Sequence, residues 1–164
     1  TMGNALRRVL LSNIPGFAIT GVRIAGINHE FSTIPNLKED IIELLLNLKQ
    51  LKFKSTLEGP IISRLVYKGQ GIITGNDIDL PEGLELVDPR QYIADLTAKS
   101  KLAMEFLIEK GEGYCLNTKK RLTLPSGFLA VDSVFMPVRR ANFFTEIYAD
   151  NASPNLEALI LEIE

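Results

Sequence analysis

Apolar and polar positions along the first residues set a helical rhythm. At about 100° per residue, Met2, Ala5, Leu6, Val9 and Leu10 fall within one arc. Arg7 and Arg8 flank that arc on opposite sides, while Leu11 lies on the far side, close to Asn4. A helix packed only on its own sheet needs no apolar residue there, so the pattern predicts contact from two directions. Asn13, Pro15 and Gly16 end this helix. "FAITGVRIAGI", Phe17 to Ile27, is rich in β-branched residues and predicts a strand. Beyond the polar loop "NHEFSTIP", the segment "NLKEDIIELLLNLKQ" predicts a second helix. Asn36 is its expected N-cap, with Glu39 three positions on, as in a capping box. Leu37, Ile41, Leu44, Leu45 and Leu48 make one face, and Ile42 and Leu46 widen it. Glu39, Glu43 and Asn47 share the remaining polar face, so a mostly buried helix is expected.

From Leu51 onward the rhythm shortens to strands broken by turn signals at "GP" (Gly59), "GQG" (Gly69), "GND" (Gly75), "PEG" (Pro81) and "DPR" (Asp88). "KLAMEFLIEK" alternates cleanly, with Leu102, Met104, Phe106 and Ile108 on one face. "GEG" at Gly111 reads as a further turn. "PVRRANFFTEIY" and "LEALILEIE" predict two closing strands joined by "ADNASPN". The order helix, strand, helix, many strands predicts an α+β fold in which a β-rich lobe is inserted into a smaller α/β unit.

Composition narrows the function classes. The 164 residues are 46% hydrophobic and 23% charged, as in an ordinary globular chain. No apolar run approaches the roughly 20 residues that cross a bilayer, which predicts a soluble segment. A chain opening on Thr1 reads as a piece of a longer protein. A net charge of −2 argues against a general nucleic-acid coat. The basic residues are instead local, at Lys52 to Lys54, Lys119 to Arg121, and Arg139-Arg140. Cys115 is alone, so no internal disulfide forms, and with His29 as the single histidine an ordinary zinc site cannot be built. Walker A, "GxSxG" and "HExxH" patterns are absent. The glycine pairs at Gly69 and Gly111 lack the spacing of a dinucleotide fingerprint. His29 and Glu30 are sequence neighbours that point apart on an extended segment. No nucleophile, base and oxyanion site assembles.

Longer blocks carry a resemblance. "TMGNALRRVLLSNIPG" and "GVRIAGINHEFSTIPNLKEDIIELLLNLK" closely resemble the α subunit of multisubunit DNA-directed RNA polymerase. "GPIISRLVYKGQGIITGNDIDLP", "EKGEGY" and "VFMPVRRANF" follow in the family's order, so the resemblance covers essentially the whole chain. "IAGINHEFSTIP", "VDPRQYIADL" and "FMPVR" look most like cyanobacterial and plastid-encoded α. The resemblance implies a two-lobed α amino-terminal domain. Its discontinuous dimerisation lobe would comprise 1–15 plus 138–164, incomplete at both ends, and its β-rich insert 16–137. It implies a plastid stroma, or alternatively a cyanobacterial cytoplasm.

The resemblance also implies roles. Met2, Leu6, Val9 and Leu10 would form the dimer interface with a second α chain. Arg8, matching the second arginine of the family's "NALRR" helix, would contact the β subunit, as would His29, Glu30, Phe31, Ser32 and Thr33. Arg139, Arg140 and Asn142 would approach β and β′. Arginine suits such an interface because its planar fork can satisfy a carboxylate or carbonyls there. This chain would hold no catalytic residue, cofactor or metal; catalytic magnesium would sit in the large subunits. DNA would be met only through the assembled enzyme or a further C-terminal domain. Two other classes remain on the residues alone: a nucleic-acid module using Lys119 to Arg121, and a small enzyme using His29 and Glu30.

Overall fold

The structure is a computed structural model that describes residues 2–12, 14–115, 124–135, 138, 140–150 and 153–164. It is a mixed α/β chain built mostly of strands. Helix α1 spans Met2–Ser12 and β1 Gly16–Ile24, followed by α2 at Ile41–Lys49 and β2 at Phe53–Ser55. The long strand β3 covers Ile61–Thr74, β4 Ile78–Asp79 and β5 Leu84–Leu86. Next come β6 at Tyr92–Gly111, β7 at Tyr114–Cys115, β8 at Leu129–Ala130 and β9 at Ser133–Val134. The last two strands are β10 at Ala141–Asp150 and β11 at Ser153–Ile163.

The main sheet is antiparallel, in the order β4-β3-β6-β1-β2-β5, with β8 pairing the far end of β1. Its inner face packs on α2. Val22 and Ile24 of β1, Leu65 and Ile73 of β3, and Met104 and Phe106 of β6 meet Leu44 and Leu48 of the helix there. Each such side chain contributes about 1.5–3 kcal/mol through burial. The pairing of β1 with β6 shifts between Ile19 and Gly21. This bulge at Thr20 lets Ile19 and Val22 both join the core despite their spacing of three. Its polar groups stay satisfied. The Thr20 hydroxyl donates to Leu107 O at 3.4 Å, and Val131 N donates to Thr20 O at 3.1 Å.

On the outer face, Leu124 and Phe128 lie over β1. A Cβ built at Gly21 would come 2.9 Å from Leu124 Cδ2, so glycine is what admits the covering segment. Arg23 stacks its guanidinium 5.3 Å from the centre of the Phe128 ring. The β10–β11 hairpin forms a separate two-stranded sheet, and α1 packs on β10. Gly3 sits against the Phe143 ring.

Three sequence expectations are corrected here. The second helix starts at Ile41, and its N-cap is Asp40, whose carboxylate accepts from Glu43 N at 2.7 Å. Asn36 has φ 63, outside the extended region that an N-cap adopts. Glu39 does not join a polar face. It is buried, where the Tyr92 hydroxyl donates to one carboxylate oxygen and Asp95 N donates to the other at 3.0 Å. "GQG" is not a turn between strands but lies inside β3. There Gly69 (φ 122) and Gly71 (φ 137) supply a left-handed backbone at a second register shift.

Candidate functional site

Most of α1 is exposed. Gly3 is buried against the hairpin, and Leu10 and Leu11 are half-buried. Met2, Leu6 and Val9 remain 73%, 38% and 46% exposed on a short helix. Three apolar side chains on one face of an already docked helix form an exposed apolar surface. Arg7 and Arg8 are exposed beside that face. Leu10, expected in the same interface, is half-buried.

The loop after β1 presents a second group. Phe31 is 76% exposed, and His29 and Thr33 are also exposed, while Glu30 and Ser32 are half-buried. Ser32 Oγ lies 3.2 Å from either imidazole nitrogen of His29, and Ser32 N donates to His29 O at 3.2 Å. A local turn therefore shapes the loop. Phe31 leaves most of its apolar surface in water beside a cavity that it lines with Phe128, Leu129 and Ala130.

Beside this loop, α2 carries apolar surface that the sequence reading missed. Ile42 and Leu46 are 48% and 53% exposed, so the helix is not mostly buried. A small cavity of 140 Å³ runs between Glu30, Ile42, Leu46 and Lys49 on one side and Ala130 to Asp132 on the other. The signal was present in the breadth of the apolar arc, because one sheet face covers only Ile41, Leu44 and Leu48. Asn47 is drawn inward, where its amide nitrogen donates to Ile93 O at 2.8 Å.

The third group lies at the start of the terminal hairpin. Arg140 N donates to Glu164 O at 3.2 Å, and Glu164 N donates to Arg140 O at 2.8 Å, which pins the strand ends together. With its amide turned to satisfy both ends, Asn142 accepts from Arg140 Nε and Nη2 at 3.1 Å each. Arg139 lies outside the described residues, as do Lys119 to Arg121. Among the described residues, no three of His, Cys, Asp and Glu are placed to hold a metal ion. No helix among them is long and apolar enough to cross a membrane.

Comparison with known proteins identifies the family. Residues 22–136 match the model of the family described as "RNA polymerase Rpb3/RpoA insert domain". The chain is 57% identical, over its full length and 53% of the relative's, to the "DNA-directed RNA polymerase subunit alpha" of Emiliania huxleyi. It is 47% identical to the subunit of that name from Rhodomonas salina, over 99% of this chain and 52% of that one. The Synechocystis sp. subunit is 49% identical over 99% of this chain and 52% of its own length. The chain thus spans about half the length of the curated relatives it matches. With more than half its residues within the matched region, this chain belongs to the RNA polymerase Rpb3/RpoA insert-domain family.

Proposed function

We propose that this chain is the assembly-directing amino-terminal part of a DNA-directed RNA polymerase α subunit. Two copies pair through the outward face of α1, and the pair then presents surfaces on which the β and β′ subunits gather. The observation that carries this reading is the exposure of Met2, Leu6 and Val9 on a helix whose other side already holds the β10–β11 hairpin. Pairing removes that apolar surface from water and supplies a preformed platform, so the large subunits lose less freedom on joining.

The division of labour follows the two lobes, 1–15 plus 138–164 for dimerisation and 16–137 for the insert. Support comes from the contact of α1 with β10, from the separate two-stranded sheet that β10 and β11 form, and from the family match over 22–136. Arg8 and the loop residues His29 to Thr33 meet β, while Arg140, Asn142 and Arg139 approach β and β′. The exposed Ile42 and Leu46 extend the loop's apolar surface. The large subunits carry the magnesium ions and perform nucleotidyl transfer, and this chain supplies no reacting group. Its relatives in Emiliania huxleyi and Synechocystis sp. support a plastid stroma, with a bacterial cytoplasm as the alternative.

The test is the mass of the full-length parent in solution. Leu6→Asp with Val9→Asp, on side chains that are exposed in the single chain, should leave circular dichroism unchanged and convert a dimer to a monomer. A variant that stays dimeric removes α1 from the interface.

A further inference from the structure

The outer face of the main sheet is only half covered. Over β1 it is closed by Leu124 and Phe128, but over β3 it lies open, with Ile62 and Val66 52% and 54% exposed. Between these halves runs a groove of 410 Å³, bounded by Arg23, the turn 25–28, Gly127, and the cross-strand pairs Arg64–Glu105 and Val66–Ala103. One pair further along, Lys68 stands directly opposite Lys101. Both lysines are exposed.

This arrangement works against the fold. Like charges directly opposite on neighbouring strands are destabilising. The carboxylates on this stretch, Glu105 and Asp79, both stand across from Arg64, on β6 and β4, and neither is opposite a lysine of the pair. Arg23 Nη2 donates to Glu105 Oε2, and Arg64 Nε lies 3.8 Å from Glu105 Oε1. Two guanidinium groups thus share one carboxylate, and Arg64 keeps 71% of its side chain in solvent. The result is a cationic line, Arg64, Lys68 and Lys101, around an apolar strip, on a chain whose net charge is −2. Outward positions on β3 recur every second residue, about 6.6–6.8 Å apart, which is the side-chain repeat of any extended segment.

We propose that this groove is a docking site for an acidic, extended segment of a partner protein, with carboxylates on Arg64, Lys68 and Lys101 and apolar side chains on Val66 and Ala103. A partner of this charge resolves the lysine pair, and the apolar strip gives alternate residues a place to lie. Single-stranded nucleic acid fits less well, because bases stack on aromatic rings and the strip offers only aliphatic ones.

The experiment uses the full-length parent protein and a fluorescein-labelled peptide of alternating glutamate and valine, read by anisotropy. Saturable binding is expected, weakened about tenfold by Lys68→Glu. The same substitution creates an opposite-charge pair with Lys101, so thermal stability should rise as binding falls. That opposition separates a binding role from a structural one. Lys54→Glu, the same charge change at an exposed position on β2, should leave binding unaltered. Absence of saturable binding, or binding indifferent to Lys68→Glu, overturns the proposal. So does displacement of the peptide by a single-stranded RNA oligonucleotide in wild type but not in Lys68→Glu.

Discussion

Gly3 of the first helix and Phe143 of the terminal hairpin are in direct contact, with no room for a side chain between them. A Cβ at Gly3 would fall 2.5 Å from Phe143 Cδ2 and 2.9 Å from Cγ. Because the ring root as well as its edge is close, a rotation of the ring cannot relieve the overlap. Gly3→Val should therefore push the helix off the hairpin at a cost of about 1–3 kcal/mol. Amide exchange along α1 should accelerate while exchange in β6 stays unchanged. Pairing Gly3→Val with Phe143→Ala should restore part of the protection.

Arg8 is exposed on the helix beside the apolar face. Arg8→Ala should leave unfolding within about 0.5 kcal/mol of wild type, as exposed substitutions do. In the full-length parent it should weaken capture of β by about thirtyfold, the effect of losing about 2 kcal/mol at an interface hot spot. Equal recovery of β with wild type and variant removes the arginine from the contact.

Tyr92 and Glu39 fasten the entry of α2 to β6. The phenol donates to the buried carboxylate, and Tyr92→Phe should cost about 1.5–3 kcal/mol in urea unfolding, the range for a hydrogen bond to a charged group. Burial, then the bond to Glu39, pushes the Tyr92 phenol well above the ordinary tyrosine range. The folded state therefore holds this proton more tightly than the unfolded one. The stability is fully present below about pH 10 and falls as pH rises above it. Spectrophotometric titration of the folded protein should show one tyrosine ionising later than the others, and that late step should be missing in Tyr92→Phe.

Glu105 answers to acid in the opposite sense. The hydrogen bond from Arg23, reinforced by the charges of Arg23 and Arg64, holds its carboxyl below the usual carboxylate range. Its stabilising contribution is present above about pH 4.3 and is lost as pH falls through the lower folded value. Glu105→Gln should flatten the stability curve in that acid window and leave the neutral region with a smaller, pH-independent loss.

Much of the fold was legible because local pattern and tertiary environment agree. Met2 to Ser12 and the alternating Leu102 to Ile108 appear as predicted, and the β-branched run after Gly16 is a strand that stops at Ile24, short of the expected Ile27. Disagreement arose where a distant partner outbid a local one. Glu39 has capping-box spacing from Asn36, yet Tyr92 and Asp95, more than fifty residues away, hold its carboxylate. The glycines at 69 and 71 carry a turn signature, but the extended partner β6 keeps them inside a strand and turns their freedom into a bulge. The exposed apolar positions were partly legible. Leu6 and Val9 stand where the helical arc predicted, whereas Ile42 and Leu46 read as core because periodicity reports an apolar face, not what covers it.

The central claim is that the outward face of α1 joins protein chains within a polymerase. Native mass spectrometry of the tagged full-length parent, purified from its source, measures this most directly. One particle with two copies of the parent and the two large subunits is expected, lost when Leu6 and Val9 become aspartate. A parent recovered as a single chain, free of large subunits, contradicts it.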